Sequence, residues 1–292
     1  MSEPRPDSPR DAVMITGAST GIGRATALHL AGKGLRVFAG IRKPADGEAL
    51  VKALGGEGAG GSIEPLVVDV AEGDSIASAV TELSERLEGS RLIGLVNNAG
   101  IAVGGPQEFM PLEEWRRQFE VNVFGLVDTT QKVLPYLMRS HGRVVNIGSI
   151  GGRVATPLMG PYAATKFAVR AITDALRMEL RPFGVWAACV EPGAIKTEIW
   201  KKADEQIADY AANTPAEEQA RYQPGFEALI RFSARGAKQG AEPIAVARKV
   251  EHALLASRPR TSYLVGVDAH VLATLRWLLS DRALEWVMGK MM

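Results

Sequence analysis

The sequence predicts a doubly wound α/β protein, one parallel sheet of seven strands with helices on both faces. Three observations predict it. Short apolar runs alternate with helix-compatible segments through most of the 292 residues. The runs hardly alternate between apolar and polar residues, as expected of strands covered on both faces. A glycine-rich turn separates the first run from the first helical segment.

In chain order, the strands are expected at Ala12–Thr16, Arg36–Ile41, Glu64–Val68, Leu92–Val96, Arg143–Ile147, Val185–Val190 and Ser262–Val265. Helical spacing falls between them at Arg24–Gly32, Ser75–Glu88, Leu112–Ser140, Tyr162–Phe183 and Pro243–Ala256. Two regions depart from this rhythm. Residues 194–240 follow the sixth strand, are polar and helix-prone, and contain Pro215 and Pro224 as interruptions; a long excursion at that edge usually covers a site. Residues 269–292 read as a C-terminal helix with Val271, Leu275, Leu278 and Leu279 at helical spacing. Residues 1–11 read as a flexible tail, and residues 12–292 as a single domain containing both regions.

Composition excludes several classes. At 46% hydrophobic and 23% charged the chain reads as globular, and a net charge of +1 gives no basic stripe for nucleic acid. One cysteine, Cys189, allows no internal disulfide and no cysteine metal cluster, which points to a reducing, cytoplasmic setting. No apolar run reaches the ~18 residues of a membrane span. The tail helix suits packing on its own domain or on a partner subunit, or closure over an apolar substrate. Its mixed-sign polar face, with Arg276, Asp281, Arg282, Glu285 and Lys290, argues against a membrane surface. Cys189 reads as an inert small hydrophobe, and His141 and His270 as surface or packing residues.

The turn Thr16-Gly17-Ala18-Ser19-Thr20-Gly21-Ile22-Gly23 stands between strand and helix. There glycines let a pyrophosphate approach the backbone, and the helix N-terminus offers it free amides. The expected contacts are Gly17, Ser19, Thr20, Gly21, Ile22 and Gly23. The second strand ends Gly40-Ile41-Arg42-Lys43, without the acid that grips an unphosphorylated ribose. Arg42 suits a 2′-phosphate, so NADP(H) is favoured and NAD(H) stays possible; a merely solvated loop is the plainer reading.

Tyr162 and Lys166 stand one helical turn apart in Tyr-Ala-Ala-Thr-Lys. An ammonium beside a phenol favours the phenolate, and Lys166 can also reach a ribose. Ser149 leaves the carboxyl end of the fifth strand, where ligands bind in open parallel sheets. It can donate to a substrate oxygen while Tyr162 exchanges a proton with it, or simply satisfy its own turn. Asn98, Ala99 and Gly100 follow the fourth strand and can line the cleft. Asn122 can hold water or a carbonyl in a proton relay.

These residues, with Asp69 and Pro192-Gly193…Thr197, resemble the short-chain dehydrogenases/reductases in order and spacing over residues 12–198. The resemblance implies a Rossmann fold and a catalytic tetrad of Tyr162, Lys166, Ser149 and Asn122. It places Asp69 and Val70 at the adenine, and Pro192, Gly193, Ile195 and Thr197 toward the nicotinamide. Arg181-Pro-Phe-Gly-Val-Trp and Ser262-Tyr-Leu-Val-Gly-Val-Asp-Ala269 are similar to the retinol and hydroxysteroid dehydrogenase branch, which implies an apolar alcohol or carbonyl substrate. Family resemblance further implies a homodimer or homotetramer. A 3-oxoacyl reductase or hydroxy-acid dehydrogenase is the alternative enzyme, with Lys196, Lys201 and Lys202 at its mouth. A cofactor-sensing protein without chemistry is the non-enzymatic one.

Overall fold

A computed structural model describes residues 11–55, 60–197 and 216–291. Seven strands form one sheet in the order β3-β2-β1-β4-β5-β6-β7, every pair parallel. They are β1 (Ala12–Ile15), β2 (Arg36–Ile41), β3 (Ser62–Val67), β4 (Leu92–Asn97), β5 (Arg143–Ile147), β6 (Trp186–Pro192) and β7 (Ser262–Val265). Strand direction of winding reverses between β1 and β4, which opens a crevice at their carboxyl ends. The predicted seven strands and double winding are present, with bounds shifted by at most two residues.

Successive side chains on a strand point to opposite faces, and here both faces are dry. Val13 and Ile15 pack under α1 (Gly21–Gly32) and α8 (Pro243–Leu255) with Leu30, Val250 and Leu254. Ala12 and Met14 pack on the other face with Ile76 and Leu83 of α3 (Gly73–Arg86) and with Val133 and Leu137 of α5 (Gly125–Ser140). This explains why the strands read as unbroken apolar runs.

Four helical readings change. Helix α2 (Pro44–Leu54) was not expected, although Pro44 at its start and left-handed Gly55 at its end are the usual signals. The segment Leu112–Ser140 is not one α-helix but α4 (Leu112–Phe119), a π turn over Glu120–Phe124, and α5. Asn122 holds that turn open by bonding both Ile101 backbone groups, Oδ1 accepting at 2.8 Å and Nδ2 donating at 2.9 Å. In the 194–240 region, α7 (Ala216–Gln239) runs straight through Pro224. Its Phe226 and Leu229 dock on Leu158, and that packing outweighs the lost backbone bond. Pro215 and the lysines Lys201 and Lys202 lie outside the described residues. The tail is two helices, α9 (Val267–Leu278) and α10 (Asp281–Met291), because Leu279 turns extended between them.

Helix α6 (Gly160–Leu180) lies on the sheet and is tied to it by one buried carboxylate. Glu191, near the end of β6, is 1% exposed. It accepts from Arg153 at 2.8 and 2.5 Å, from Arg170 of α6 at 2.7 Å, and from the Ser262 hydroxyl of β7. Burial alone would push this carboxyl up; Arg153, Ser262 and Arg170 outweigh it and hold it below its ordinary 4.5. Its contribution is therefore present above about pH 4.5 and lost as pH falls through the lower folded-state value.

Glu191→Ala leaves two arginines facing a hole and is expected to cost about 3 kcal/mol, measured by urea unfolding at neutral pH. Glu191→Gln should cost less and flatten the loss of stability below pH ~4.5. A cost within about 0.5 kcal/mol for the alanine variant contradicts this role.

Candidate active site

The chain leaves β1 through Gly17, whose φ of +65° suits a residue without a Cβ. A Cβ there would also sit 2.8 Å from the Cα of Ala99, so the turn presses directly on the end of β4. Asn98 seals this contact: its Nδ2 donates to Thr16 O at 3.0 Å and Gly17 O at 2.9 Å. Thr16 answers, its hydroxyl accepting from the amides of Asn98 and Ala99. Gly21, at φ +54°, opens α1. Thr20 at the N-cap makes no side-chain capping bond, which leaves the first-turn amides available to an anion.

A cavity of about 870 Å³ runs from this turn along the carboxyl edge of the sheet. Gly17, Ser19, Thr20, Gly21 and Ile22 line it at the turn. Arg42, Asp69 and Val70 line the side beyond β2 and β3, where Arg42 has no ion-pair partner among the described residues. Asp69 is fixed by its own turn, accepting from Ala71 N at 3.0 Å. Asn98, Ala99 and Gly100 form the floor after β4, and Pro192, Gly193, Ile195 and Thr197 the edge after β6. Ser149, Tyr162 and Lys166 face the same space.

Two expected residues do not. Gly23 is a packing glycine: a Cβ on it would stand 2.1 Å from Gly17 O and 2.5 Å from Asn98 Nδ2. Asn122 is buried behind the wall, with Nδ2 donating to Thr165 Oγ1 at 3.0 Å. It still neighbours the site, because a Cβ on Gly100 would lie 3.2 Å from Asn122 Oδ1 and 3.8 Å from Lys166 Nζ.

Ser149 begins a short 3₁₀ turn, Ile150–Gly152, and its Oγ accepts from Gly151 N at 3.1 Å. Both its turn-satisfying and cavity-facing readings hold together. Tyr162 and Lys166 share the first turns of α6, with the Lys166 Nζ 5.7 Å from the Tyr162 ring centre. That ammonium is buried and donates to Ile147 O at 2.9 Å. Burial lowers it to about 8. Burial also pushes the Tyr162 phenol above its ordinary value, with Ser149 acting the other way. The expected lowering by Lys166 is not what this geometry gives, because the lysine is aimed at a carbonyl and both groups are desolvated. Cys189 is buried as expected, its thiol pushed up to about 12 by burial.

These donors suit a phosphorylated dinucleotide. An uncapped helix start would meet a pyrophosphate, the Arg42 guanidinium, without an ion-pair partner among the described residues, would meet a further phosphate, and a buried ammonium with one carbonyl acceptor has protons left for ribose hydroxyls. Sequence reading offered closure of the tail over an apolar substrate as one alternative, and Val271 of that tail does line the cavity; it did not single out Met159, Leu229 or Leu272. Met159, Leu229, Val271, Leu272 and Met288 line the cavity from α7, α9, α10 and the loop before α6, where no motif marks them. It also missed Asp268, which lines the cavity from the first turn of α9. Among the described residues, no helix is long and apolar enough to cross a membrane, and no cluster could hold a metal ion.

A family model described as short chain dehydrogenase matches residues 11–208. The chain is 36% identical over 282 residues to the NADPH-dependent 3-dehydrocapnine reductase of Ornithobacterium rhinotracheale, covering 95% of both. It is 32% identical over 292 residues to human retinol dehydrogenase 5, covering 95% of this chain and 89% of that one. A short-chain dehydrogenase from Streptomyces avermitilis superimposes with a TM-score of 0.75 at 26% identity, over 97% of this chain and 95% of the other.

In lysine-labelled protein free of cofactor, the NMR resonance that disappears in Lys166→Met should titrate near pH 8, whereas surface lysines titrate near ~10.4. A Lys166 midpoint above about 10 contradicts its desolvated setting.

Proposed function

The chain belongs to the short-chain dehydrogenases, and from that premise we propose that it interconverts an apolar alcohol and its ketone or aldehyde, using NADP(H). The observation that carries the reading is that Ser149, Tyr162 and Lys166 converge on the cavity that begins at the uncapped glycine turn. The bound nicotinamide supplies or accepts the hydride. Tyr162 gives a proton to the substrate oxygen in reduction and takes it back in oxidation. Ser149 aims its hydroxyl at that oxygen and fixes the reacting group. Lys166 holds the ribose and, once a neighbouring phenolate forms, stabilises it by charge. Asn122 acts from behind, keeping the Ile101 loop and the Thr165 turn of α6 in register.

Cofactor contacts are assigned to Gly17, Ser19, Thr20, Gly21 and Ile22 for the pyrophosphate, and to Asp69, Val70, Asn98, Ala99 and Gly100 for the adenosine side. Pro192, Gly193, Ile195 and Thr197 are assigned to the nicotinamide side. Arg42 is the reader of the 2′-phosphate; its guanidinium at the cavity wall, without an ion-pair partner among the described residues, and the missing acid at the end of β2 support NADP(H) over NAD(H). A relative named as an NADPH-dependent reductase supports the same preference.

The substrate end is walled by Met159, Leu229, Leu272 and Met288, which supports a lipid-, steroid- or retinoid-like body. Of the basic residues that would suit an acyl-carrier substrate, Lys196 is paired with Glu242 at 2.7 Å, and Lys201 and Lys202 lie outside the described residues. We assign residues 12–292 to one domain working as a cytoplasmic homo-oligomer, with 194–240 forming the substrate loop.

Tyr162→Phe should lower kcat at least ~100-fold on an apolar ketone while leaving NADPH affinity nearly unchanged. Near-normal turnover in that variant sinks the assignment. Arg42→Ala should weaken NADPH about tenfold by fluorescence titration and leave NADH within about twofold; equal losses for both contradict the 2′-phosphate role.

A further inference from the structure

Asp268 stands in the first turn of α9, half-buried, with its carboxylate on the cavity wall. Its Oδ2 accepts from the backbone amide of Ala194 at 2.6 Å, a short charge-assisted bond. Two glycines make the room for it. A Cβ on Gly193 would lie 2.2 Å from Oδ2, and one on Gly266 would lie 2.4 Å from Oδ1. Gly266 also holds a φ of +100°, which few other residues adopt.

The segment that Asp268 grips is pinned at further points. Ala194 O accepts from Ala241 N at 2.9 Å, and Lys196 N donates to Ala241 O at 3.0 Å. Ile195 between them is buried. At Thr197 the methyl would lie 3.1 Å from a Cβ on Gly21. The segment starts beside Pro192, whose carbonyl is 3.5 Å from the Ser149 hydroxyl. Asp268 is therefore the cavity-side fastening of a strap that runs from Ser149 to the dinucleotide turn.

Charge gives it a second consequence. Of the described residues lining the cavity, only Asp69 and Asp268 are acidic. Asp69 lies beyond the end of β3, whereas Asp268 lies against Gly193, next to the Pro192 carbonyl that the Ser149 hydroxyl faces. A nicotinamide ring is cationic when oxidised and neutral when reduced, so a fixed anion on that side stabilises the oxidised form. Three cations also line the cavity: Arg42 beyond β2, Lys166 with its ammonium held on the Ile147 carbonyl, and Arg235 on α7. Resting on the oxidoreductase reading above, we infer that Asp268 is a positioning residue that holds the Gly193–Thr197 strap and biases the site toward the oxidised cofactor.

Two variants separate the bond from the charge. Asp268→Asn keeps an oxygen for the Ala194 amide and removes the charge; Asp268→Ala removes both. Dissociation constants for NADP⁺ and NADPH are measured by calorimetry, with hydrogen exchange of the Ala194 amide followed in the unliganded protein. In Asp268→Asn the ratio of NADP⁺ to NADPH affinity should fall about fivefold, with Ala194 exchange close to wild type. In Asp268→Ala both affinities should fall and Ala194 should exchange faster. An unchanged ratio in Asp268→Asn, or equal weakening of both forms, overturns the charge bias; unchanged exchange in Asp268→Ala overturns the strap. Should the alanine variant not fold, the ratio in Asp268→Asn decides. Wild-type protein that binds neither form overturns the oxidoreductase reading itself, and with it this inference, a result distinct from binding with an unchanged ratio.

Discussion

A carboxylate survives at the bottom of a dry protein only where cations and donors meet it, and Glu191 is that place here. Its partners belong to different parts of the site. Arg153 follows the turn that begins at Ser149, Arg170 lies one turn beyond Lys166 on α6, and Ser262 opens β7. Glu191 itself precedes Pro192 and Gly193. One buried charge thus ties together the serine turn, the tyrosine–lysine helix and the start of the strap. Moving any of them means breaking an ion pair in a poorly solvated setting, so their relative positions are set before any ligand arrives.

That rigidity surrounds a cleft whose tyrosine and lysine are both desolvated by burial. Lys166 is brought down to about 8, and the Tyr162 phenol is pushed up, both by burial. Charged forms of either group are costly until something in the cleft compensates them. The lysine finds one carbonyl, that of Ile147, and retains donors for a sugar. Such a site gains chemical poise when its cofactor fills it, since each interaction then acts at low dielectric.

Much of this was legible in the sequence. The uninterrupted apolar runs predicted the parallel sheet because both of its faces are covered, and the glycine turn, Ser149, Tyr162 and Lys166 predicted a common cavity because all leave the same edge of that sheet. Positions set by side-chain packing were not legible. Gly23 reads like its neighbouring glycines, yet it serves the contact between α1 and Gly17. Asn122 reads like a cavity residue, yet a π turn sends it behind the wall. Asp268 lies in the Ser262–Ala269 stretch that carries the resemblance, yet its role was not legible there, because its partner is a backbone amide 74 residues away. The apolar walls come from α7, α9 and α10; the sequence allowed the tail to close over an apolar substrate, but no local pattern chose that over packing on its own domain or on a partner.

The most direct test of the account follows the hydride itself. Wild-type protein is incubated with NADPH carrying deuterium on the transferable position at C4 and a panel of long-chain and polycyclic ketones, and the alcohols are read by mass spectrometry. Deuterium on the carbinol carbon of an apolar product is the predicted result. Saturable NADPH binding with no label in any alcohol, from either face of the nicotinamide, would contradict the assignment of this cavity to carbonyl reduction.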